Sequence, residues 1–523
     1  MIFMRRTLPI LAALLSCTST GYASPPPGTD HSQDECQALE TVDFSGIQDA
    51  PTQITRAKFV AATSEAPSYC QVEGYVAPQV GFGIVLPDTH WNGKFIEVGC
   101  GGFCGSFDVS ECMEPLKRGY ACIASDMGHE GSGGLWAQNN LQAKIDWGYR
   151  GSHVTALAGK AITEHYYHQR PSRSYYSGCS TGGRIGMVEV QRFPWDFDGV
   201  VVGAPPLNFT AMSMTQLWGP LALRKEDGRS LLSKADAQLL HEAVLAQCDM
   251  DDGVKDGIVG NPLHCGFDPA KLACRVGQEK ACLTQAQIQA VKKIYSGPVT
   301  STGERIYVGG AVPGSELSWS GTLFSDDGGM GFLYSYNTDK FRYAAFSPDP
   351  GPRWTALDLD FDRDYKRLGV MESLYSATNP DLRPFKRSGG KLLVYQGWND
   401  PFEAPRGIID YYETVERTMG GHAQTQDFFR LFVVPGMNHC SGGEGAFAID
   451  YLSYLETWAE KGQAPDVMIG AHVNTEDLSN GNKFPLDSAR VAFTRPVYPY
   501  PIRAKYKGKG DPKNAGNFGP SEN

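Results

Sequence analysis

Two short cysteine-containing motifs constrain the fold of this chain most strongly. Residues 178–182 have the sequence GCSTG and residues 435–440 have the sequence PGMNHC, so Ser180 and His439 each have a cysteine as a direct neighbour. A serine and a histidine in contact are the nucleophile and base of many hydrolases. One disulfide between the neighbouring cysteines would hold that pair together, and the fold would then have to bring two distant segments to one point.

The pattern of apolar residues predicts an α/β fold with a mostly parallel sheet covered by helices on both faces. Short apolar runs alternate with helical spacing over residues 152–168 and after residue 182. The predicted strands are 82–86, 94–98, 120–126, 174–177, 199–203, 391–395 and 429–434. The alternation is absent from about residue 206 to residue 385, which predicts an inserted domain.

The serine motif gains its meaning from its position. Because the chain has 60 glycines, a GxSxG match alone is weak evidence for a catalytic serine. Ser180, however, lies between a predicted strand and a predicted helix, where flanking glycines allow a strained turn that raises the serine above the sheet. The sequence predicts Ser180 as a nucleophile, and the alternative is a glycine-rich turn with an incidental serine.

Candidates for the acid and the base follow two later strands. Asp400 comes after predicted strand 391–395 and His439 after 429–434, in the serine, acid, histidine order of α/β-hydrolases. His439 would accept the Ser180 proton during attack on an ester carbonyl, and Asp400 would orient the imidazole and stabilise its cation. The alternative for Asp400 is a turn-forming residue before a proline.

Two backbone N–H groups are needed to stabilise the oxyanion that forms on the attacked carbonyl. We expect one from Thr181, which follows the serine, and one from Gly101 in the glycine-rich loop 99–102 after a predicted strand. A plain turn is the alternative for that loop.

The N-terminus has the features of an export signal. Residues 1–23 contain two arginines, an apolar run and small residues at the end, so we expect cleavage before Ser24. Lipoprotein processing at Cys17 is the less favoured alternative. We predict a secreted or periplasmic protein with no membrane span. The net charge of −11 argues against a nucleic-acid partner, and the sequence does not specify an oligomeric state.

With Cys17 set aside, twelve cysteines remain, an even number that suits disulfides in an oxidising compartment. Their spacing favours three local pairs, which are Cys36 with Cys70, Cys248 with Cys265, and Cys274 with Cys282. The order of pairing stays open for the other four in the first half of the chain: Cys100, Cys104, Cys112 and Cys122. A zinc site is the alternative for the CxxxC spacing, but no nearby histidines complete four ligands.

Several segments together resemble the tannase and feruloyl esterase family. They are GCSTGGR at 178–184, QRFP at 191–194, FDG at 197–199 and PGMNHC at 435–440, and the resemblance covers nearly the whole mature chain. It implies an α/β-hydrolase catalytic domain formed by residues 24–205 and 386–523, with a lid domain inserted at 206–385.

The resemblance also implies a function. It assigns the catalytic triad to Ser180, Asp400 and His439, and it implies a disulfide between Cys179 and Cys440. The expected activity of such an exported serine esterase is hydrolysis of a small aromatic ester, of the feruloyl or galloyl type, through an acyl-enzyme. One alternative is hydrolysis of mono(2-hydroxyethyl) terephthalate, and a remote one is a catalytically silent, calcium-stabilised binding protein.

The acidic segment 248–258 offers hard oxygen ligands on a tight loop. It does not follow the EF-hand pattern, because Val254 and Gly260 stand where that pattern has glycine and glutamate. The resemblance implies a structural Ca²⁺ held by three carboxylates and two carbonyls, from Asp249, Asp252, Val254, Asp256 and Ile258. A solvated acidic turn is the alternative.

The resemblance extends to a family member that hydrolyses mono(2-hydroxyethyl) terephthalate and binds the substrate carboxylate through an arginine. Segment 353–362 aligns with its lid and implies substrate contacts by Arg353, at that arginine, and by Leu357, where the relative has phenylalanine. The alternative for Arg353 is an exposed loop residue. Val497 and Gly519 stand where many relatives have a further disulfide, so this chain departs from the family there.

Overall fold

The computed structural model describes residues 33–278, 280–474, 484 and 486–522 of the 523-residue chain. The predicted signal peptide at 1–23, its cleavage site before Ser24 and the alternative lipoprotein residue Cys17 lie outside the described residues. Among the helices of the described part, none is both long and apolar enough to cross a membrane.

A nine-stranded sheet forms the centre of the molecule. Its strands are β1 (Thr52–Val60), β2 (Tyr69–Val76), β3 (Val80–Pro87), β4 (Lys94–Val98), β5 (Ala121–Ser125), β6 (Arg173–Cys179), β7 (Gly199–Gly203), β8 (Lys391–Gly397) and β9 (Phe429–Val434). Their order across the sheet is β1, β2, β3, β5, β4, β6, β7, β8, β9. The strands from β5 to β9 in this order are parallel, whereas the pairs among β1, β2, β3 and β5 are antiparallel. The prediction of a mostly parallel sheet is confirmed.

Helices of the described residues surround this sheet. They are α1 (Gln33–Ala38), α2 (Met113–Lys117), α3 (Leu141–Ile145), α4 (Gly151–Tyr167), α5 (Thr181–Arg192), α6 (Phe209–Leu223), α7 (Lys234–Cys248), α8 (Gln285–Ser296), α9 (Phe332–Tyr343), α10 (Phe361–Arg367), α11 (Gly369–Tyr375), α12 (Arg383–Arg387), α13 (Pro405–Met419), α14 (His422–Gln426) and α15 (Tyr451–Lys461). Two small antiparallel sheets follow, β10 (Met468–Val473) with β11 (Val491–Val497) and β12 (Arg503–Tyr506) with β13 (Phe518–Ser521).

Separate apolar clusters cover the two faces of the main sheet. Alternate residues of a strand point to opposite faces, so Leu392 and Val394 of β8 join one cluster and Leu393 joins the other. The first cluster includes residues of α4, α5 and α13, and the second includes Leu455 of α15. Because both faces are buried, a central strand such as β7, with the sequence GVVVG, is apolar throughout.

The hairpin of β1 and β2 is absent from the predicted strands. In β1 the alternation of buried and exposed residues breaks, because a register shift lies between Ile54 and Arg56. A strand with a broken period-two pattern gives a weak signal in the sequence.

The chain between β7 and β8 forms a helical insertion. Its described residues add no strand to the main sheet and form α6 to α12. They build apolar clusters of their own, one around Leu240 and Trp319 and another around Phe341 and Trp354. We call residues 204–390 the β7–β8 insertion, and the domain boundaries drawn from the sequence stay a prediction.

Six disulfides join cysteines of the described residues. They are Cys36–Cys70, Cys100–Cys104, Cys112–Cys122, Cys179–Cys440, Cys248–Cys265 and Cys274–Cys282. The CxxxC spacing therefore holds the Cys100–Cys104 disulfide and not a zinc ion. The Cys179–Cys440 bond spans 261 residues, whereas none of the others spans more than 34.

Candidate active site

The turn that carries Ser180 is strained. Ser180 lies between β6 and α5 with φ 59° and ψ −124°, a conformation that costs a residue other than glycine about 1–3 kcal/mol. Its N–H donates to the Gly203 carbonyl at 3.0 Å. The flanking glycines are required by space, because a Cβ on Gly178 would lie 2.8 Å from the carbonyl carbon of Gly182. The turn thus presents Ser180 at the carboxyl end of β6 and at the N-terminus of α5.

Asp400 and His439 form a hydrogen-bonded pair. Asp400 follows β8 and His439 follows β9, and Nδ1 of His439 lies 2.8 Å from Oδ2 of Asp400. The buried carboxylate also accepts bonds from the N–H groups of Phe402 at 2.8 Å and Glu403 at 3.0 Å, and from the Gln396 amide at 2.9 Å. These donors fix the carboxylate, which in turn orients the imidazole.

A disulfide ties the serine segment to the histidine segment. Cys179 and Cys440 are bonded, and their Cα atoms are 5.9 Å apart. Ser180 and His439 line the same cavity, which has a volume of about 1130 Å³. The structure therefore brings Ser180, His439 and, behind the imidazole, Asp400 to one site.

The two expected oxyanion donors belong to two segments, the loop after β4 and the N-terminus of α5, that are joined by a hydrogen bond. Gly101 and Thr181 both line the cavity, and the Thr181 hydroxyl donates to the carbonyl of Gly102 at 2.7 Å. The Cys100–Cys104 disulfide closes the loop that contains Gly101. This arrangement fixes the loop relative to the N-terminus of α5.

Aromatic and apolar side chains line much of the cavity near the serine. They include Phe209, Met212, Phe332, Tyr336, Tyr395 and Phe402. Phe402 stacks on the imidazole of His439 with ring centroids 4.4 Å apart. Phe332 packs against Tyr336 at 5.3 Å and against Phe402 at 5.8 Å. Such a surface suits a planar apolar ring held beside the base.

Arg184 joins the helix of the serine to the β7–β8 insertion. Its buried guanidinium donates to the carbonyls of Trp147 at 2.8 Å, Gly148 at 2.7 Å and Tyr375 at 3.2 Å. It also lies 4.4 Å from the ring centroid of Trp147, close enough for a cation–π contact. The arginine of the GCSTGGR motif is therefore a structural link and does not line the cavity.

The predicted substrate contacts Arg353 and Leu357 lie away from the cavity. Arg353 is exposed, Leu357 is 58% exposed, and neither lines the cavity that contains Ser180. The structure does not bring them to the serine, and their role in binding stays a prediction.

The predicted calcium ligands lie on one loop that the Cys248–Cys265 disulfide closes. Burial first, and then the nearby charges of Asp256 and Asp249, raise the pKa of Asp252 to about 6. A dication would relieve this repulsion, so the donor set suits Ca²⁺. One carboxylate oxygen of Asp256 also pairs with Arg495 at 2.6 Å.

The carbonyl donors expected from Val254 and Ile258 belong to the same loop. In the described part of the chain, three ligating side chains within 4.8 Å of one another are found at a different place, formed by His153, Glu189 and Asp196. The calcium assignment of the loop therefore stays a prediction.

Two buried ionisable residues of the cavity wall, Lys340 and Glu403, are missing from the sequence-based site. Glu403 lies only three residues after Asp400 in the sequence, and this proximity alone could have predicted that it lies near the site. Lys340 lies on α9 one turn after Tyr336, and no sequence pattern shows which face of α9 meets the cavity. Its position depends on how the β7–β8 insertion packs on the sheet.

Comparison with known proteins gives consistent matches over the chain. The family model "Tannase and feruloyl esterase" matches residues 62–520. An uncharacterized esterase of Xanthomonas campestris is 33% identical over 98% of this chain and 93% of its own length. Mono(2-hydroxyethyl) terephthalate hydrolase of Piscinibacter sakaiensis is 32% identical over 88% of this chain and 85% of its own.

A solved structure gives the same result. The crystal structure of feruloyl esterase B from Aspergillus oryzae matches with a TM-score of 0.82 and 26% identity, over 94% of this chain and 100% of that one. This match covers the architecture described above, including the mostly parallel central sheet. The chain therefore belongs to the tannase and feruloyl esterase family of α/β-hydrolases and is a carboxylic ester hydrolase of that type.

Proposed function

We propose that the protein is an exported serine esterase for esters of aromatic acids, with Ser180, His439 and Asp400 as its catalytic triad. The observation that carries this proposal is the 2.8 Å contact between His439 and Asp400 in a segment tied by a disulfide to the neighbour of Ser180. Ser180 and His439 face one cavity.

In the proposed reaction His439 accepts the hydroxyl proton of Ser180 while the serine oxygen attacks the ester carbonyl. Asp400 holds the imidazole and stabilises its positive charge. The proton then passes to the leaving alcohol, which departs and leaves an acyl-enzyme on Ser180. Water, activated by His439, releases the acid and restores the serine.

The oxyanion of each tetrahedral intermediate is assigned to the backbone N–H groups of Thr181 and Gly101. Thr181 is the first residue of α5, where N–H groups have no partner within the helix and the helix dipole favours negative charge. The bond from Thr181 to Gly102 supports this role because it holds the two donors in fixed relation.

Aromatic acyl groups are favoured by the rings of the cavity wall, among them Phe209, Phe332 and Phe402. The terephthalate monoester alternative depends on Arg353, which is exposed and does not line the cavity, so we favour feruloyl- or galloyl-type esters. Six disulfides support folding in an oxidising compartment and hence export. Part of the proposal is a structural Ca²⁺ in the loop of Asp249 and Asp252.

The test is steady-state hydrolysis of methyl ferulate and methyl gallate by wild type and by Ser180→Ala. We expect turnover by wild type and a loss of at least about 10⁴-fold in kcat for the variant. Ser172→Ala, which removes an exposed serine just before β6, is the matched control and should retain full activity. Equal rates for wild type, Ser180→Ala and buffer would instead support the silent binding protein.

A further inference from the structure

A cluster of metal-ligating side chains lies outside the cavity, on elements next to the serine turn. His153 belongs to α4, Glu189 lies near the end of α5, and Asp196 lies in the turn between α5 and β7. One ligand atom from each of these side chains lies within 4.8 Å of the other two. None of the three lines the cavity that contains Ser180, so the proposed reaction does not use them.

The carboxylate of Glu189 points into this cluster without a donor. The residue is 1% exposed, and neither of its side-chain oxygens has a hydrogen-bond partner in the described part of the chain. The nearby Ser152 hydroxyl donates to Glu97 at 2.6 Å instead, and the neighbouring Asp196 carboxylate offers only another acceptor. Burying a carboxylate in this way is costly unless a ligand or a cation satisfies it.

The cluster has more acidic than basic groups. Glu97 of β4 is 3% exposed, and one of its side-chain oxygens also lacks a hydrogen-bond partner within the described residues. Burial first, and then the charges of Asp196 and Glu97, raise the pKa of Glu189 well above its ordinary value. The Lys160 ammonium lies near all three carboxylates and donates to the backbone carbonyl of Asp196. One ammonium, even with a protonated His153, does not balance three carboxylates, and a divalent cation that displaced their protons would.

The donor set favours Zn²⁺. An imidazole nitrogen with carboxylate oxygens suits Zn²⁺, whereas Ca²⁺ prefers a larger number of oxygens. His153 stacks on Phe193 with ring centroids 3.9 Å apart, and its Nδ1 lies 2.5 Å from Oδ2 of Asp196. Tetrahedral ligands at about 2.0–2.1 Å from Zn²⁺ are about 3.3 Å apart, so this pair has to open by less than about 1 Å. The His153 side chain is 13% exposed, which gives the ion an entry path.

We propose that His153, Glu189 and Asp196 bind one structural Zn²⁺, with Glu97 beside them as an outer residue. The ion joins α4 to the end of α5, the helix whose N-terminus follows Ser180. Because the unfolded chain does not hold the three ligands together, the bound ion stabilises the folded state. Its role is to fix the helix of the serine and not to take part in ester hydrolysis.

The test is calorimetric titration of Zn²⁺ into the full chain at pH 7, after EDTA treatment and removal of the EDTA, with excess Ca²⁺ present throughout. Wild type should bind one equivalent, and Zn²⁺ at 100-fold excess over Kd should raise the Tm by about 2–3 °C. His153→Gln and Glu189→Gln should each weaken binding by more than about 100-fold. Glu97→Gln should weaken it by about 10- to 100-fold, the effect of an outer residue.

His422→Gln is the matched control. Like His153, His422 has its Nδ1 2.5 Å from a carboxylate oxygen, that of Glu416, but it is exposed and lies on α14. This variant should keep the Zn²⁺ affinity and the Zn²⁺-dependent rise in Tm of wild type.

The site is refuted if wild type binds no Zn²⁺, or if His153→Gln and Glu189→Gln bind it as tightly as His422→Gln does. Should these two substitutions prevent folding, anomalous scattering at the zinc absorption edge from wild-type crystals decides the question. It should place the ion between His153 and Glu189, and a zinc ion elsewhere would refute the site. Because the readouts are binding, stability and position, the result does not depend on esterase activity.

Discussion

The Cys179–Cys440 disulfide gives the sharpest prediction about the site. Replacing both cysteines by alanine removes a crosslink that closes a loop of 261 residues. In the chain-entropy model this loop is worth about 5–6 kcal/mol, an upper bound because native strain subtracts from it. Since unfolding entropy is about 2.1 cal/mol/K per residue, or roughly 1 kcal/mol/K for a chain of this length, the Tm should fall by about 5 °C.

The same change should affect catalysis below the Tm. The Ser180 turn and the contact of His439 with Asp400 are each held locally, but the disulfide fixes one relative to the other. A displacement of about 1 Å between nucleophile and base costs roughly 100-fold in rate. We expect kcat for methyl ferulate to fall by about 10- to 100-fold at 20 °C, where the variant is still folded.

Calorimetry and initial-rate measurements check both effects. The matched control is Cys274→Ala with Cys282→Ala, which opens a loop of 8 residues in the β7–β8 insertion. Its predicted loss is only about 2.5 kcal/mol, and its kcat should not change. A Cys179→Ala, Cys440→Ala variant with the kcat of wild type would refute the positioning role, and an unchanged Tm would refute the entropic estimate.

Three further predictions follow from single groups. Asp400→Asn should lower kcat by roughly 10³–10⁴-fold while the Tm stays close to that of wild type, because the amide keeps an acceptor but loses control of the imidazole; an active variant in the ferulate assay would exclude Asp400 as the acid. Burial raises the pKa of Asp126 to about 7, so the folded state binds the Asp126 proton more tightly than the unfolded state does. The stabilisation from this proton is complete below about pH 4 and is lost as the pH rises through 7. The free energy of unfolding should fall by about 4 kcal/mol over this range. Denaturant titrations should show this slope reduced in Asp126→Asn, which retains acceptors for the N–H groups of Gly81 and Gly128, and parallel curves would contradict it. Chelation by EGTA should lower the Tm and added Ca²⁺ should restore it, because Ca²⁺ at 100-fold excess over Kd adds about 2.7 kcal/mol to the free energy of unfolding. The double variant Asp249→Asn, Asp252→Asn should not respond, and a wild-type Tm that EGTA does not change would count against the calcium loop.

The positions of the three proposed triad residues relative to the sheet each have a local signal in the sequence. Ser180 stands between a strand and a helix, and Asp400 and His439 each follow a buried parallel strand. The carboxyl ends of parallel strands lie at one edge of the sheet, so residues that follow them meet there. The positions of these three relative to the sheet could therefore be predicted without knowing the rest of the fold.

The wall of the cavity had no such signal. Lys340 reaches it only because α9 of the β7–β8 insertion packs over the sheet, and this packing depends on contacts between residues far apart in sequence. Arg353 differs from Lys340 in the opposite way. The family resemblance predicts that Arg353 contacts the substrate, whereas the structure shows it exposed and outside the cavity lining. The positions of residues at strand ends can be predicted from the local sequence pattern, whereas the positions of residues in the insertion depend on tertiary packing.

The central claim is that Ser180 is a nucleophile activated by His439, and covalent labelling tests it most directly. Wild type is treated with diethyl 4-nitrophenyl phosphate, and the modified residue is located by peptide mass spectrometry. The account predicts a single diethylphosphoryl adduct on Ser180 that forms in step with the loss of esterase activity, and that forms far more slowly in His439→Ala. Unmodified Ser180 in fully inactivated enzyme, or equal labelling rates in wild type and His439→Ala, would contradict it.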